Sequence, residues 1–183
     1  MPLTELAPAA GLPRATAHRL AVALEAHGFV DRDGEGRFVL GPRLVGSDLV
    51  TVAAPIVAGL RDRTGESAQL YVRRGDTRVC VLAAESPHSL RTIVAVGSVL
   101  PLARGSAGKI LRGDTSSSGW VASVEEREAG VASVSAGVAS HGEIVAAVSV
   151  SGPVDRLGRA PGRKHGAVVH DAAQAIERAL RHS

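Results

Sequence analysis

The sequence predicts an α+β protein in which a winged helix-turn-helix precedes a domain built on an antiparallel sheet flanked by helices. Three observations support this prediction. Residues 4–40 contain a helix, a tight turn, a second helix and a short hairpin in that order. Strand-like runs separated by turn residues fill the middle of the chain. Residues 166–181 then form a closing helix with apolar residues at helical spacing.

The first two helices are delimited by glycine and proline. The first helix, residues 4–10, ends at Gly11. Pro13 opens the second helix, because a proline in the first helical turn loses no hydrogen bond. Gly28 suits the left-handed position just after a helix, so the second helix is expected to end there.

The wing is predicted as two short alternating runs and their connecting turn: residues 29–32, Asp33-Gly34 and residues 37–40. A winged helix-turn-helix normally has a further helix before the pair. Only Met1-Pro2-Leu3 precede the pair here, so that helix is expected to be absent, through either a truncated start or an incomplete domain.

The second helix has the two faces of a DNA-reading helix. One face is an apolar stripe that is predicted to be buried: Ala17, Leu20, Ala21 and Leu24. Base-edge contacts are expected from the N-terminal part of the opposite face: Arg14, Ala15 and His18. Phosphate contacts are expected from Thr16 and Arg19, and Arg37 on the wing completes the predicted DNA-binding set.

The alternative is an ordinary amphipathic helix pair with a solvated Arg/His face. Charge does not favour DNA, because residues 1–46 contain five arginines and five acidic residues. We prefer DNA binding because the turn, the caps and the hairpin agree.

Composition limits the remaining possibilities. Hydrophobic residues make up 45% of the 183 residues and aromatic residues only 2%, so the core must be built from Val, Ala and Leu. The single cysteine excludes an internal disulfide and fits a reducing cytoplasm. We expect neither a membrane span nor a signal peptide, and the net charge of +3 favours anionic partners only weakly.

The predicted domains are a winged helix-turn-helix over residues 1–42, a weakly helical linker over 43–54 and a second domain over 55–183. The second domain begins with a helix at residues 55–64 that stops at Gly65. Strands are predicted at residues 67–73, 78–85 and 90–96, and a loop at 97–108 leads to a short helix near Lys109. Residues 114–119 are polar and structureless. A hairpin of residues 131–138 and 144–151 turns at His141-Gly142, Gly152-Pro153 breaks its second strand, and residues 166–181 follow as the closing helix.

These features resemble the IclR-type transcriptional regulators. The winged-helix pattern of that family matches the runs at residues 11–20, 27–28 and 36–44, and its effector domain matches 64–66, 96–98, 101–102, 107–109, 119–120, Glu126, 130–131 and 149–153. The amino-acid sequences of residues 65–71, 130–135 and 146–153 are similar to those of the NdgR-like subgroup, which is linked to amino-acid biosynthesis genes. The resemblance implies a homodimer or dimer of dimers that binds double-stranded DNA as a repressor or activator. It also implies a GAF-like effector domain for a small organic acid.

Three positions depart from the family pattern. The helix before the pair is expected to be absent, Gly137 stands where the family usually has proline, and the segment between Leu111 and Gly119 lacks the family's additional helical structure. The third departure removes one wall of the expected ligand pocket.

The effector is predicted to be a small carboxylate-bearing metabolite, of the type of an amino acid or a keto acid, held by a loop and a row of hydroxyls. Backbone N–H groups of the loop before Lys109 suit a carboxylate, although the spacing is not that of a P-loop. Hairpin pairing is expected to set Ser133 opposite Ser149 and Ser135 opposite Ala147, with Leu100 and Leu102 as apolar lining. A ligand-free glycine turn and a solvated sheet face are the alternatives. The predicted effector-binding residues are Gly105, Ser106, Ala107, Gly108, Glu126, Ser133, Ser149 and Ser151.

No catalytic residue, metal ligand or cofactor is predicted. Cys80 lies between valines and is expected to pack in the core. The seven histidines show no metal-ligand spacing, and a pair such as Glu125-Glu126 is more often a solvated or structural pair than an acid–base pair. The two competing functions are therefore a ligand-responsive DNA-binding regulator and an effector-binding or dimerisation module that has lost DNA binding. An enzyme using the loop at residues 105–109 lacks a nucleophile–base pair.

Overall fold

The computed structural model describes residues 2–26, 29–32, 36–40, 42–114 and 116–181. The chain divides into two compact units, Met1–Leu49 and Val50–Ser183. Within the described ranges, no helix is both long and apolar enough to cross a membrane.

The first unit contains the predicted helix pair and hairpin. Its elements are α1 (Leu3–Ala9), α2 (Arg14–Ala26), β1 (Val30–Arg32) and β2 (Phe38–Leu40). Gly11 has φ +64° and follows α1, which confirms the predicted end of that helix. β1 and β2 pair antiparallel, with Val30 opposite Leu40. The predicted helix stop at Gly28 and the turn Asp33-Gly34 lie outside the described residues.

The buried stripe of α2 is narrower than predicted. Ala17 and Ala21 are each 3% exposed, but Leu20 is 50% exposed and Leu24 is 36% exposed. The prediction that these two leucines are buried is therefore wrong. α2 packs mainly against α1 and β1. These elements cover the alanine side of α2, where small side chains allow a close approach.

One helix, α3 (Pro42–Thr64), contains both the predicted linker and the predicted helix that follows it. Pro55 lies inside this helix without ending it. Buried side chains continue at helical spacing on both sides of the proline, at Ala53, Val57 and Leu60. The helix ends at Gly65, which has φ +70° as predicted for a helix stop.

The second unit is built on a six-stranded antiparallel sheet in the order β5-β4-β3-β8-β7-β6. Its strands are β3 (Ser67–Arg74), β4 (Thr77–Ala84), β5 (Val99–Pro101), β6 (Val121–Val124), β7 (Val131–Ser140) and β8 (Glu143–Pro153). β5 and β6 were not predicted. β8 runs through the predicted break at Gly152-Pro153, because Val131 still pairs with Pro153 at the end of the ladder.

The strand predicted at residues 90–96 is absent. The Ser67 hydroxyl donates to the Thr92 carbonyl at 2.7 Å. At this point a side-chain hydrogen bond therefore takes the place of backbone pairing between strands. Leu90, Ile93 and Val96 are 59–67% exposed, whereas Val94 is 6% exposed. The segment therefore buries too little of its apolar surface to pack as a strand.

The pairing of β7 with β8 differs from the prediction by two residues. Ser133 lies opposite Ser151 and Ser135 lies opposite Ser149. The turn contains two residues, His141 and Gly142, both with positive φ, as a tight hairpin requires. A bulge at Val145 then adds one residue to β8, because Val138 pairs with Ala146 and Ala139 with Ile144.

The bulge brings serines opposite serines and valines opposite valines. Val134, Val138, Val148 and Val150 form a fully buried row on one face of this hairpin, and the serines lie on the other. The predicted face of each side chain is therefore confirmed, although the predicted partners are wrong.

Besides the later part of α3, the described residues of the second unit form the helices α4 (Ser106–Leu111), α5 (Val154–Leu157) and α6 (Pro161–Leu180). α4 packs against β7 and β8, and α6 packs mainly along β7. α6 begins five residues before the predicted start, with Pro161 in its first turn. Gly162 and Gly166 leave room for the Trp120 ring, since a Cβ at Gly162 would lie 1.9 Å from it.

Candidate functional site

The exposed face of α2 presents the side chains that the sequence assigned to DNA. Arg14, Ala15, His18 and Arg19 are exposed, and Thr16 is half-buried. Arg37, immediately before β2, is exposed as well. Ala15, His18 and Arg19 follow Arg14 by one, four and five residues, so these four side chains lie on one side of the helix, with Thr16 at its edge.

A small cavity, partly open to solvent, lies in the second unit between the start of α4 and the serine-bearing face of the sheet. Its volume is about 20 Å³, which is enough for roughly one water molecule. Loop and strand residues from five parts of the unit line it: Tyr71, Arg78, Gly105, Ser106, Ala107, Ser123, Arg127, Val131, Ser133, Ser149 and Ser151.

The serines beside the cavity form one chain of hydrogen bonds. Ser135 Oγ donates to Ser149 Oγ at 2.9 Å, and Ser149 Oγ donates to the Val134 carbonyl at 3.3 Å. Ser106 Oγ lies 2.8 Å from Ser135 Oγ and 2.7 Å from Ser133 Oγ. Ser133 Oγ is in turn 3.0 Å from Ser123 Oγ.

Since each hydroxyl has a single proton, the direction of this chain is determined. Ser135 uses its proton on Ser149, so Ser106 must donate to Ser135. By the same argument Ser133 donates to Ser106, and Ser123 donates to Ser133. We name this chain from Ser123 to the Val134 carbonyl the serine relay.

The relay has no free proton for a bound carboxylate. Ser151 Oγ is also engaged, because it donates to Gln69 Oε1 at 3.0 Å. The Ser106 N–H, which was expected to face a ligand, donates to Ser123 Oγ at 3.1 Å. Any anion in the cavity must therefore find its main donors elsewhere.

Arg78 is the main cationic group of the cavity and is only 2% exposed. Its Nη1 donates to the Arg104 carbonyl at 2.7 Å and to the Pro101 carbonyl. Its Nε is buried and has no hydrogen-bond partner in the described part of the chain. Burial lowers the pKa of Arg78, with a smaller contribution in the same direction from Arg127, although Tyr71 opposes both. The described residues place no carboxylate in an ion pair with Arg78, so its charge is uncompensated.

Tyr71 and Arg127 flank this guanidinium. The Arg78 Cζ atom is 5.4 Å from the centroid of the Tyr71 ring, a cation–π arrangement. Burial raises the pKa of the Tyr71 hydroxyl, so the group is a neutral donor at physiological pH. The Arg127 side chain is 21% exposed, and its nearest acidic group is Glu128 at 3.7 Å.

Two glycines allow the loop before α4 to approach Arg78. Gly105 has φ +79°, and a Cβ there would lie 3.5 Å from Arg78 Nη2. A Cβ at Gly108 would lie 2.2 Å from the Leu102 carbonyl oxygen. Gly108 thus serves the packing of α4 and does not line the cavity.

The structure brings together six of the eight residues predicted for the effector: Gly105, Ser106, Ala107, Ser133, Ser149 and Ser151. Glu126 instead forms an ion pair with Lys109. Leu100 and Leu102, expected as lining, pack with the apolar cluster that contains Tyr71 and Cys80. Cys80 is fully buried, as predicted, and burial raises the pKa of its thiol to about 11.

Sequence reasoning missed Tyr71, Arg78, Ser123 and Arg127. The position of Arg78 could have been predicted from the sequence. Arg78 stands two residues before Cys80 in the same strand, so the two side chains must lie on the same face. Ser123 lies in an unpredicted strand, β6, and Arg127 lies in the loop after it, so no local pattern placed them near the cavity.

The fold and these two sites define a class of protein, a helix-turn-helix unit joined to a unit with a small polar cavity. Comparison with known sequences identifies the family. The pattern of the IclR helix-turn-helix domain matches residues 1–34. The pattern described as the bacterial transcriptional regulator IclR C-terminal domain matches residues 43–115 and 113–178. The chain belongs to the IclR family of DNA-binding transcriptional regulators.

Individual relatives agree with this assignment. The Streptomyces griseus glycerol operon regulatory protein is 30% identical, over 97% of this chain and 88% of its own length. The Escherichia coli transcriptional repressor IclR is 27% identical, over 95% of this chain and 81% of its own. A Microbacterium hydrocarbonoxydans IclR homologue solved with 4-hydroxybenzoate has the same fold, with a TM-score of 0.64 and 22% identity over 100% of this chain and 92% of its own.

Proposed function

We propose that this protein is a sequence-specific regulator of amino-acid metabolism genes whose affinity for DNA responds to a small carboxylate-bearing metabolite in the cavity beside Arg78. The buried, uncompensated charge of Arg78 is the observation that carries the proposal. A buried cation without a counter-charge is costly, and a bound anion lowers that cost. The amino-acid assignment of the target genes follows the similarity to the NdgR-like subgroup.

A relative supports the chemistry of the ligand. The Microbacterium protein was solved with 4-hydroxybenzoate, which is itself a carboxylate. In this chain a carboxylate would meet the guanidinium of Arg78 and the hydroxyl of Tyr71, both of which lie at the cavity. A guanidinium is a preferred partner for a carboxylate because two parallel hydrogen bonds can form.

For DNA, we propose that α2 lies in the major groove. Arg14, Ala15 and His18 would then reach base edges, while Thr16, Arg19 and Arg37 would contact phosphates. One such module buries little surface, so we further propose a homodimer on a pseudo-palindromic site. Its half-sites would be about 34 Å apart or a multiple of this distance. A regulator of this kind acts on the chromosome, in the bacterial cytoplasm.

The charge balance favours one alternative, a module that binds effector or partner but has lost DNA binding. Residues 1–46 have no excess of basic over acidic side chains. Phosphate contacts produce a steep dependence of affinity on salt, so the two functions differ in a measurable way.

An electrophoretic shift assay with operator DNA, titrated against salt, tests the proposal. We expect a steep salt dependence and a change in affinity when one acid from a panel of amino, oxo and dicarboxylic acids is added. Light scattering should show a dimer at micromolar concentration. Binding without any salt dependence would support the alternative module. If no acid of the panel changes the affinity for DNA, the protein has no effector role of the proposed kind.

Ser133→Ala tests the contribution of the serine relay to this site. The variant leaves Ser123 without its acceptor and Ser106 without its donor. Because the relay serines bond to one another and not to a ligand, we expect the free energy of unfolding to fall by roughly 1–2 kcal/mol, since two buried hydroxyls lose a partner, while effector affinity stays close to that of the wild type. Urea unfolding and calorimetry measure the two quantities, and an unchanged free energy of unfolding would contradict the expectation.

A further inference from the structure

We propose that the cavity selects a compact dianion without an ammonium group, held between Arg78 and Arg127. The inference rests on the proposed function, because it specifies the class of effector for the same cavity. It also excludes zwitterionic amino acids as effectors, even if the regulated genes belong to amino-acid metabolism.

The cavity offers nothing to an ammonium group. Its lining residues include no aspartate and no glutamate. Two acidic residues of the neighbouring loop are occupied, since Glu126 pairs with Lys109 and Glu125 pairs with Arg159 at 3.3 Å. The third, Glu128, does not line the cavity, is exposed to solvent and contacts Arg127 at 3.7 Å. The α-ammonium of a free amino acid would therefore be desolvated beside two arginines without a counter-charge.

The cavity offers two cations to an anion. Nη1 of Arg78 is saturated by two carbonyls, which leaves the edge formed by Nε and Nη2 without an acceptor in the described residues. This edge of a guanidinium is the one that binds a carboxylate through two parallel bonds. Arg127 lines the same cavity from the loop after β6, and its one acidic contact, with the exposed Glu128, is 3.7 Å long. Two neighbouring cations repel each other, and two negative charges remove that repulsion more completely than one.

The dimensions favour a compact ligand. The space that a water-sized sphere can occupy in the cavity is about 20 Å³, so it admits one small anionic group and not a whole dicarboxylate, and the relay serines on its wall have no proton to spare. Arg127 is the more exposed of the two arginines, so we place the entrance beside it. One anionic group would lie against Arg78, and the second would lie close by, at Arg127.

Calorimetry on the full chain with matched ligand pairs tests the proposal. Acetate and malonate differ by one carboxylate, and succinate and aspartate differ by one ammonium group. We expect malonate to bind at least about tenfold more tightly than acetate, and succinate at least about tenfold more tightly than aspartate, a factor equal to 1.4 kcal/mol. Inorganic phosphate is included because it is a second source of the same charge. If phosphate binds more tightly than malonate, the preference for a dianion still stands, and the dianion is identified as a phosphoryl group.

Two variants test whether Arg127 binds the second negative charge of the ligand. Arg127→Gln should reduce the ratio of malonate to acetate affinity to near one, while the thermal midpoint shows that the chain is folded. Arg159→Gln is the matched control, because Arg159 is 77% exposed, belongs to the neighbouring ion pair with Glu125 and does not line the cavity. This control should leave the ratio unchanged.

The outcomes separate this inference from the function on which it rests. If aspartate binds as tightly as succinate, or if Arg127→Gln keeps the preference for malonate, the dianion site is wrong while an effector role can stand. If no amino, oxo or dicarboxylic acid and no phosphate binds, the effector role itself falls. The ligand pairs need only the wild-type protein, so a misfolded variant does not prevent a decision.

Discussion

The Glu66 carboxylate accepts two hydrogen bonds from Arg156, at 2.6 Å from Nε to Oε1 and 2.8 Å from Nη2 to Oε2. The Glu66 side chain is 4% exposed, and that of Arg156 is 28% exposed. Gly152 makes room for the pair, since a Cβ there would lie 2.3 Å from Glu66 Oε2. The ion pair thus joins the start of β3 to α5 beneath the end of β8.

Arg156→Ala should destabilise the second unit, because it leaves a buried carboxylate without its partner. We expect a loss of about 2–4 kcal/mol, below the full value for a wholly buried pair because Arg156 is partly solvated. Urea unfolding followed by the fluorescence of Trp120, the only tryptophan, measures the loss. Arg159→Ala breaks an exposed pair and should change stability by less than about 0.5 kcal/mol. Equal effects of the two variants would show that burial of Glu66 is unimportant.

Two glycine-to-alanine variants should change stability in opposite directions. A Cβ at Gly166 would lie 2.4 Å from Trp120 Cε2, so Gly166→Ala overpacks the contact with α6 and should cost about 1–3 kcal/mol. Gly59 in α3 has open space around its Cβ position, so Gly59→Ala should add roughly 0.5–1 kcal/mol through helix propensity. The same unfolding assay compares them. A stabilising Gly166→Ala would contradict the tight packing of Trp120.

His165 should make the second unit sensitive to acid. It is 4% exposed, and its Nε2 has no partner in the described residues. Burial lowers the pKa of His165, and Lys164 lowers it further against the opposing effect of Glu66. The unfolded chain therefore takes up the proton first, so stability should fall as the pH drops below about 6.5. His165→Gln should flatten this dependence in thermal unfolding between pH 5 and 8. An unchanged slope would assign the dependence to another group.

Two arginines of α2 should have different effects on DNA binding. Arg14→Ala should cost roughly 1–3 kcal/mol and relax the preference at one base position. Arg19→Ala should weaken binding to all sequences alike and reduce the salt slope by about one. Gel-shift titrations with operator variants distinguish the two. Arg63, an exposed arginine of the second unit, provides the control that should have no effect on either measure. Identical behaviour of Arg14→Ala and Arg63→Ala would remove Arg14 from base recognition.

Local patterns predicted most of the elements of this fold. The helix stops at Gly11 and Gly65 and the turn at His141-Gly142 follow from the backbone freedom of glycine or from turn geometry, so the sequence marks them directly. The run at residues 90–96 is rich in β-branched residues, as strands are, but pairs with no neighbour. Whether such a run joins a sheet depends on a free partner strand, which only the assembled sheet supplies.

The candidate site was predictable only in part, for the same reason. The alternation in β7 and β8 placed the serines on one face, but the bulge at Val145 decided which serine meets which. Arg127 is 49 residues beyond Arg78 in the numbering, and nothing in either local sequence links them. They line one cavity because β6 and β4 belong to the same sheet and α4 closes the space between them.

By itself, the sequence determined most of the helices and the longer strands, the face on which each hairpin side chain lies and the family to which the chain belongs. These properties depend on local backbone preferences and on the periodicity of apolar residues. Only the tertiary structure decided that Leu20 and Leu24 of α2 are exposed, that the serines form a directed relay and that Arg78 is buried without a counter-charge. Each of these depends on which distant groups meet, because desolvation and hydrogen bonding act through space and not along the chain.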